Sequence, residues 1–208
     1  MISDLDASLL CYSSYWQTDA FDHFLSTEGV VFGVKSYADS TAVAFPGSET
    51  LLDWERDFQF EMTIDPDLGQ VEKGFMTGMR AVLVLVLPLL SKDKAVFITG
   101  HSLGASRAHI LAALLVSLGY NVTVVTFGSP RPGGQKLKEI LAPFRVRNYK
   151  NNNDPVCGVP FTTPTEPYIL PGDQVVINAQ PIPCDPWLTM RDHHCQLYCV
   201  AVARHLGG

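Results

Sequence analysis

Apolar residues fall in two kinds of block along the chain. Residues 29–36 (GVVFGVKS) and 41–45 (TAVAF) are short, β-branched runs parted by a polar turn, and they predict a hairpin. Residues 95–99 (AVFIT) are a continuous apolar run, as strands covered on both faces are, and 121–127 (NVTVVTF) predict the next buried strand. Residues 144–149 predict a more polar strand. The second kind is longer and richer in Ala and Leu. It predicts helices over 71–90, ending near Pro88, over 103–118, closed by Gly119, over 135–141, and over 192–206, stopped by Gly207 and Gly208. Residues 168–177 (YILPGDQVVI) predict a hairpin around Pro171-Gly172. Residues 45–54 and 178–191 predict loop. Strand–helix–strand alternation through the middle predicts parallel pairing and an α/β sheet. No repeat or low-complexity linker divides the chain, so a single domain over 1–208 is expected.

Composition narrows the picture. The chain has 208 residues, 47% of them hydrophobic and 17% charged, enough apolar material for a core and too little charge for a disordered chain. The net charge of -6 and the lack of a basic cluster argue against nucleic acid as a partner. The first ten residues (MISDLDASLL) hold two aspartates and no Lys or Arg, unlike a secretory leader. The longest apolar run, 81–90, is too short to cross a bilayer and is interrupted by Pro88. The five cysteines are an odd number, read as reduced thiols, and a cytoplasmic location is expected.

The chemistry starts at residues 97–106 (FITGHSLGAS). Gly100-x-Ser102-x-Gly104 lies between a predicted strand and a predicted helix, the setting of a nucleophile elbow. Flanking glycines let strand and helix approach, and the serine hydroxyl is lifted above the sheet. The backbone N–H of Leu103 and the helix N-terminus then stand where an oxyanion would form. A serine needs a base, and the base an orienting acid. His23 and His101 precede Ser102, His109 falls inside the following helix and His205 at the end of the last one. His193 and His194 remain. Among Glu139, Asp154, Glu166, Asp173, Asp185 and Asp192, Asp154 alone directly follows a predicted sheet strand, where α/β sheets present their chemistry.

With these residues in hand the chain resembles the class 3 lipases, a fungal-lipase-like branch of the α/β-hydrolases. Four blocks carry the resemblance: FPGSETLLDW (45–54), GHSLGAS (100–106), TFGSPRPG (126–133) and NNNDPVCGVP (151–160). It implies an α/β-hydrolase fold, with a mostly parallel central sheet and helices on both faces. It implies Ser102 as nucleophile, Asp154 as acid, and Ser48 and Leu103 as the oxyanion residues. The block DHHCQLYCVAV (192–202) fits the family best with His193 as base and Tyr198 five residues on, His194 being the alternative. Two departures stand out. Pro46 replaces an arginine common in the family, and the segment after Trp54 is short for a full lid.

The reading that follows is ester hydrolysis through an acyl-enzyme, on short-to-medium-chain acyl esters or glycerides. No metal or cofactor is called for. Phospholipase or acyltransferase activity, and a hydrolase-fold scaffold without turnover, are the alternatives. Cys184, His193, His194, Cys195 and Cys199 match no zinc-site spacing, and the cysteines read as small apolar residues of a helix face. Residues 81–90 with Phe58, Phe60 and Met62 read as core, with transient lipid-surface contact as the other reading. Arg131 is expected to pair with a neighbouring carboxylate. The charged amphipathic stretch 49–62 is expected to be too short for a large lid.

Overall fold

A computed structural model of the chain describes residues 2–48, 60–165, 167–179 and 186–207, with backbone alone for 186–189. Its centre is a seven-stranded sheet. The strands are β1 (His23–Thr27), β2 (Val30–Ser36), β3 (Ser40–Phe45), β6 (Ala95–His101), β7 (Val122–Phe127), β8 (Arg145–Asn151) and β9 (Asp173–Ile177), adjacent in that order. β1, β2 and β3 pair antiparallel. From β3 to β9 every pairing is parallel. A separate antiparallel pair is formed by β4 (Met62–Asp65) and β5 (Gly69–Glu72).

The period of two along each strand divides the core between the two faces. Val43, Phe45, Val96, Ile98, Val122 and Val124 point to one face, where they meet Ile110, Leu111 and Leu115. These belong to helix α4 (Leu103–Ser117), which lies there with α3 (Met79–Val86) and α5 (Gln135–Leu141). Ala42, Ala44, Phe97, Val125 and Phe127 point to the other face, towards Ala7 and Cys11 of α1 (Asp4–Trp16) and Tyr198 and Val202 of α6 (Cys195–Gly207). Continuous apolar runs are what such doubly covered strands require, so the expected α/β-hydrolase layering is present.

Three expectations change. The predicted helix over 71–90 is broken. Residues 69–72 are β5, a single turn α2 (Lys73–Met76) follows, and α3 starts after Gly78. Gly78 has φ +78°, and a Cβ there would lie 2.7 Å from Val30 Cγ2, so glycine is required and the helix cannot run through it. Within that stretch Val82 and Val86 are core, while Val84 and Leu85 face out. The stretch 168–177 is not a hairpin: β9 joins β8 in parallel, and Ile169 instead bridges to Gly133. Residues 186–191, expected as loop, and 192–193, expected to open the last helix, form a 3-10 helix that delivers the chain to α6, which starts at Cys195. Helix α1 was not expected. It begins with a capping box in which Ser3 Oγ accepts from Asp6 N (3.1 Å) and Ser3 N donates to Asp6 Oδ2 (3.0 Å). Asp4 of α1 is buried and takes Arg145, Arg147 and the Tyr149 hydroxyl, tying this helix to β8.

Candidate active site

The turn between β6 and α4 holds Ser102 at φ 56°, ψ −128°, a costly conformation for a residue with a Cβ. Its neighbours allow the turn to close. A Cβ on Gly100 would lie 2.5 Å from the Gly104 carbonyl carbon, and one on Gly104 would lie 2.5 Å from the Phe45 carbonyl oxygen. Strand, helix and the loop after β3 therefore meet at two glycines. Gly47 of that loop is equally close: its Cβ would stand 2.9 Å from Ser102 Cβ. The next residue, Ser48, lines a cavity of about 420 Å³ together with Leu103. The structure thus brings both expected oxyanion residues to one cavity beside Ser102.

Asp154 comes after β8, as the parallel sheet demands, and is fully buried. Its Oδ1 accepts from Val156 N (2.9 Å). Its Oδ2 accepts from His193 Nδ1 (2.7 Å) and from the Tyr198 hydroxyl (2.5 Å). Burial works to raise the affinity of this carboxyl for a proton, but His193 and these hydrogen bonds outweigh it and hold Asp154 below its ordinary value. Burial also pushes the Tyr198 phenol well up, so it stays a donor.

With Nδ1–H given to the carboxylate, His193 Nε2 carries the lone pair. Both that atom and Ser102 Oγ are buried without a hydrogen-bond partner among the described residues. Buried polar atoms are nearly always paired, so an orphaned hydroxyl on the elbow and an orphaned nitrogen on the base fit groups kept for a reacting partner. His194, the alternative base, faces solvent. Among the other acids, Glu139 and Asp173 are exposed, and Glu166 and Asp185 lie outside the described residues.

The asparagines before Asp154 hold the histidine segment. Asn151 Nδ2 donates to the Asp192 carbonyl (2.9 Å), and Asn152 Nδ2 and Asn153 N reach the Asp192 carboxylate at 3.3 Å. Gly128, at the end of β7, has φ +60°, and a Cβ there would stand 2.8 Å from His193 Cε1 and 2.9 Å from Asp154 Oδ2.

A second chain of hydrogen bonds joins the base to the oxyanion loop. His101 Nε2 donates to the His193 carbonyl (2.6 Å), which leaves Nδ1 as acceptor for the Tyr15 hydroxyl (2.7 Å). That hydroxyl accepts in turn from Gly47 N (2.7 Å). Burial, with His193 nearby, depresses His101 to about 3, so it is neutral and the direction of these bonds is set. Tyr15, His101, Gly128 and Asn151 were not singled out from the sequence. Gly128 and Asn151 stood inside recognised blocks, while Tyr15 sits on the unexpected helix α1.

Other expectations are corrected or set aside. Arg131 pairs with no carboxylate among the described residues. Its Nη1 donates to the Gly158 and Pro160 carbonyls (2.9 and 3.0 Å), bracing the loop after Asp154. Among the described residues no group of three or more His, Cys, Asp or Glu could hold a metal, and Cys184 lies outside them. Phe60 packs edge-on against Phe75 at the core margin, as expected. Phe58, Trp54 and most of the stretch 49–62 expected to be too short for a large lid, namely residues 49–59, lie outside the described residues. Among the described residues no helix is long and apolar enough to cross a membrane.

The chain is similar to known proteins in sequence and in fold. The profile of the family "Lipase (class 3)" matches residues 42–163. A rice protein (Oryza sativa subsp. indica), phospholipase A1-II 1, is 36% identical over 121 residues, covering 53% of this chain and 30% of its own. The secreted mono- and diacylglycerol lipase 1 of Fusarium solani is 29% identical over 128 residues, covering 57% of this chain and 38% of its own. The chain thus spans little more than a third of these relatives at most. The triacylglyceride lipase of Rhizomucor miehei superposes with a TM-score of 0.69 at 21% identity, over 82% of this chain and 77% of that one.

Proposed function

The chain belongs to the class 3 lipase family, and from that premise we propose that it is a serine carboxylic-ester hydrolase in which Ser102, Asp154 and His193 form the catalytic triad. The observation that carries the proposal is the buried Asp154–His193 pair, whose free Nε2 is orphaned alongside the orphaned Ser102 Oγ. His193 Nε2 takes the Ser102 proton as Oγ attacks the ester carbonyl. The N–H of Leu103, with Ser48, stabilises the oxyanion. His193 then protonates the leaving alcohol, and a water molecule repeats the sequence to free the acid. Asp154 keeps the imidazole in the required tautomer and balances the imidazolium. No step draws on a metal or cofactor.

For the substrate we propose acyl esters or glycerides of short to medium chain length. Glycerolipid names among the relatives and a cavity of about 420 Å³ at the oxyanion residues support this reading. The experiment is labelling by a fluorophosphonate together with hydrolysis of p-nitrophenyl butyrate. Label is expected on Ser102 alone, and Ser102→Ala is expected to lose on the order of 10⁶ in kcat. His193→Ala should lose turnover while His194→Ala keeps most of it. Label on another serine, or turnover equal to wild type in Ser102→Ala, would overturn the assignment. A scaffold would show neither label nor turnover.

A further inference from the structure

The cavity that Ser48 and Leu103 line has one charged residue among its described lining, Arg107. Arg107 lies four residues after Leu103 on α4, so the two share a face. Helical side chains lean towards the N-terminus, which carries the guanidinium back over the first turn, beside the proposed oxyanion site. That end of a helix is already positive. A cation placed there is unfavourable unless an anion joins it.

No such anion is found among the described residues. Arg107 Nε is buried without a hydrogen-bond partner, and the guanidinium forms no ion pair there. Arg80, Arg145 and Arg147 by contrast each pair with an aspartate, and Arg131 donates to two carbonyls. Burial lowers Arg107 to about 10, with Glu72 acting in the opposite sense, so it remains charged at neutral pH. Glu72 does not neutralise it by contact: its carboxylate is taken by Phe75 N (2.6 Å) and Glu61 N (3.4 Å). The rest of the described lining is neutral, with Phe24, Val31 and Pro46 supplying apolar surface. A partly buried guanidinium held in this way is a ready fork for a phosphate.

We propose that Arg107 is an anion subsite of this cavity, and that it receives the phosphodiester of a glycerophospholipid whose acyl ester lies at Ser102. The proposal rests on the ester-hydrolase reading of the same site. It makes the phosphodiester a specificity element, favouring phospholipid over neutral glyceride of the same acyl length.

The test compares dihexanoylphosphatidylglycerol with dihexanoylglycerol, which share acyl chains and differ in the phosphodiester. The readout is the ratio of their kcat/KM values in the wild type, Arg107→Gln and Arg107→Lys. Arg107→Gln is expected to lower the ratio by about tenfold to a hundredfold, with Arg107→Lys in between because it keeps charge but loses the fork. A merely structural role for Arg107 would lower both values together and leave the ratio unchanged, and that result overturns the proposal. A measurement on the wild type decides the matter even where Arg107→Gln fails to fold. There sn-glycerol 3-phosphate is expected to compete with dihexanoylglycerol while glycerol is not, and equal effects of the two would overturn the subsite. Failure of the wild type to cleave either lipid would overturn the hydrolase reading and the subsite together. Cleavage of both lipids with an indifferent ratio overturns the subsite alone.

Discussion

Replacing Tyr198 by Phe removes one oxygen from the centre of the site and leaves the ring where it is. The ring packs edge-on against His101 and Phe127, at centroid distances of 5.7 and 6.0 Å, contacts that phenylalanine retains. The hydroxyl has two tasks. It donates to Asp154 Oδ2 at 2.5 Å and accepts from Asn151 N at 3.0 Å. Loss of a hydrogen bond to a charged acceptor costs about 1.5–3 kcal/mol, and a buried N–H left unpaired costs about 1–3 kcal/mol. Some repacking around Asn151 offsets part of this, so a loss of about 3 kcal/mol in unfolding free energy is expected at neutral pH, read from urea melts. The chemistry should shift as well. Asp154 is held below its ordinary value against the pull of burial by His193, Tyr198 and the Val156 N–H. With one donor gone its protonation moves to higher pH, and the acid limb of kcat/KM on p-nitrophenyl butyrate should move up with it. A stability loss under about 1 kcal/mol with an unmoved acid limb would refute the reasoning, because the hydroxyl would then carry neither task.

Three further outcomes are expected. Gly128→Ala should cut kcat by about 10² or more, because its Cβ would press on His193 and Asp154 from 2.8–2.9 Å at φ +60°; steady-state kinetics on the folded variant check this, and kcat within threefold of wild type contradicts it. Ser48→Ala should lower kcat by about 10²–10³ with little change in KM, since its contact is made in the transition state; an unchanged kcat would leave the oxyanion to backbone N–H groups alone. Burial depresses His101 to about 3 and His109 to about 4 from 6.5, so below 6.5 the unfolded chain binds protons that the folded chain refuses. Stability should therefore be full above 6.5 and fall as pH drops towards 4, by up to about 1.4 kcal/mol per pH unit for each histidine. Urea midpoints across that range measure the slope, and His109→Gln should flatten it.

The sequence by itself determined the elements whose signals are local. The runs at 95–99 and 121–127 were legible as buried strands, being short and rich in β-branched residues. Gly100 and Gly104 marked the elbow because only glycine lets strand and helix come that close. Asp154 could be singled out from its place after a strand, and the family blocks added Ser48 and His193. The break at Gly78 was less legible, because an apolar run of helical period looks the same whether or not one glycine turns left-handed. The parallel course of β9 was also hidden, since Pro171-Gly172 suits a hairpin as well as a loop end. What the tertiary structure alone decided is which distant groups meet. The sequence preferred His193 but left His194 open, and burial of His193 against Asp154, with His194 exposed, separates them. Tyr15 and His101 lie 86 residues apart and carry no joint signal in the chain, yet one hydrogen bond makes them a brace between base and oxyanion loop. Arg107 resembles any helical arginine until packing partly buries it with no counterion among the described residues. Side-chain period and steric need are written locally, whereas burial and partnership are properties of the assembled fold.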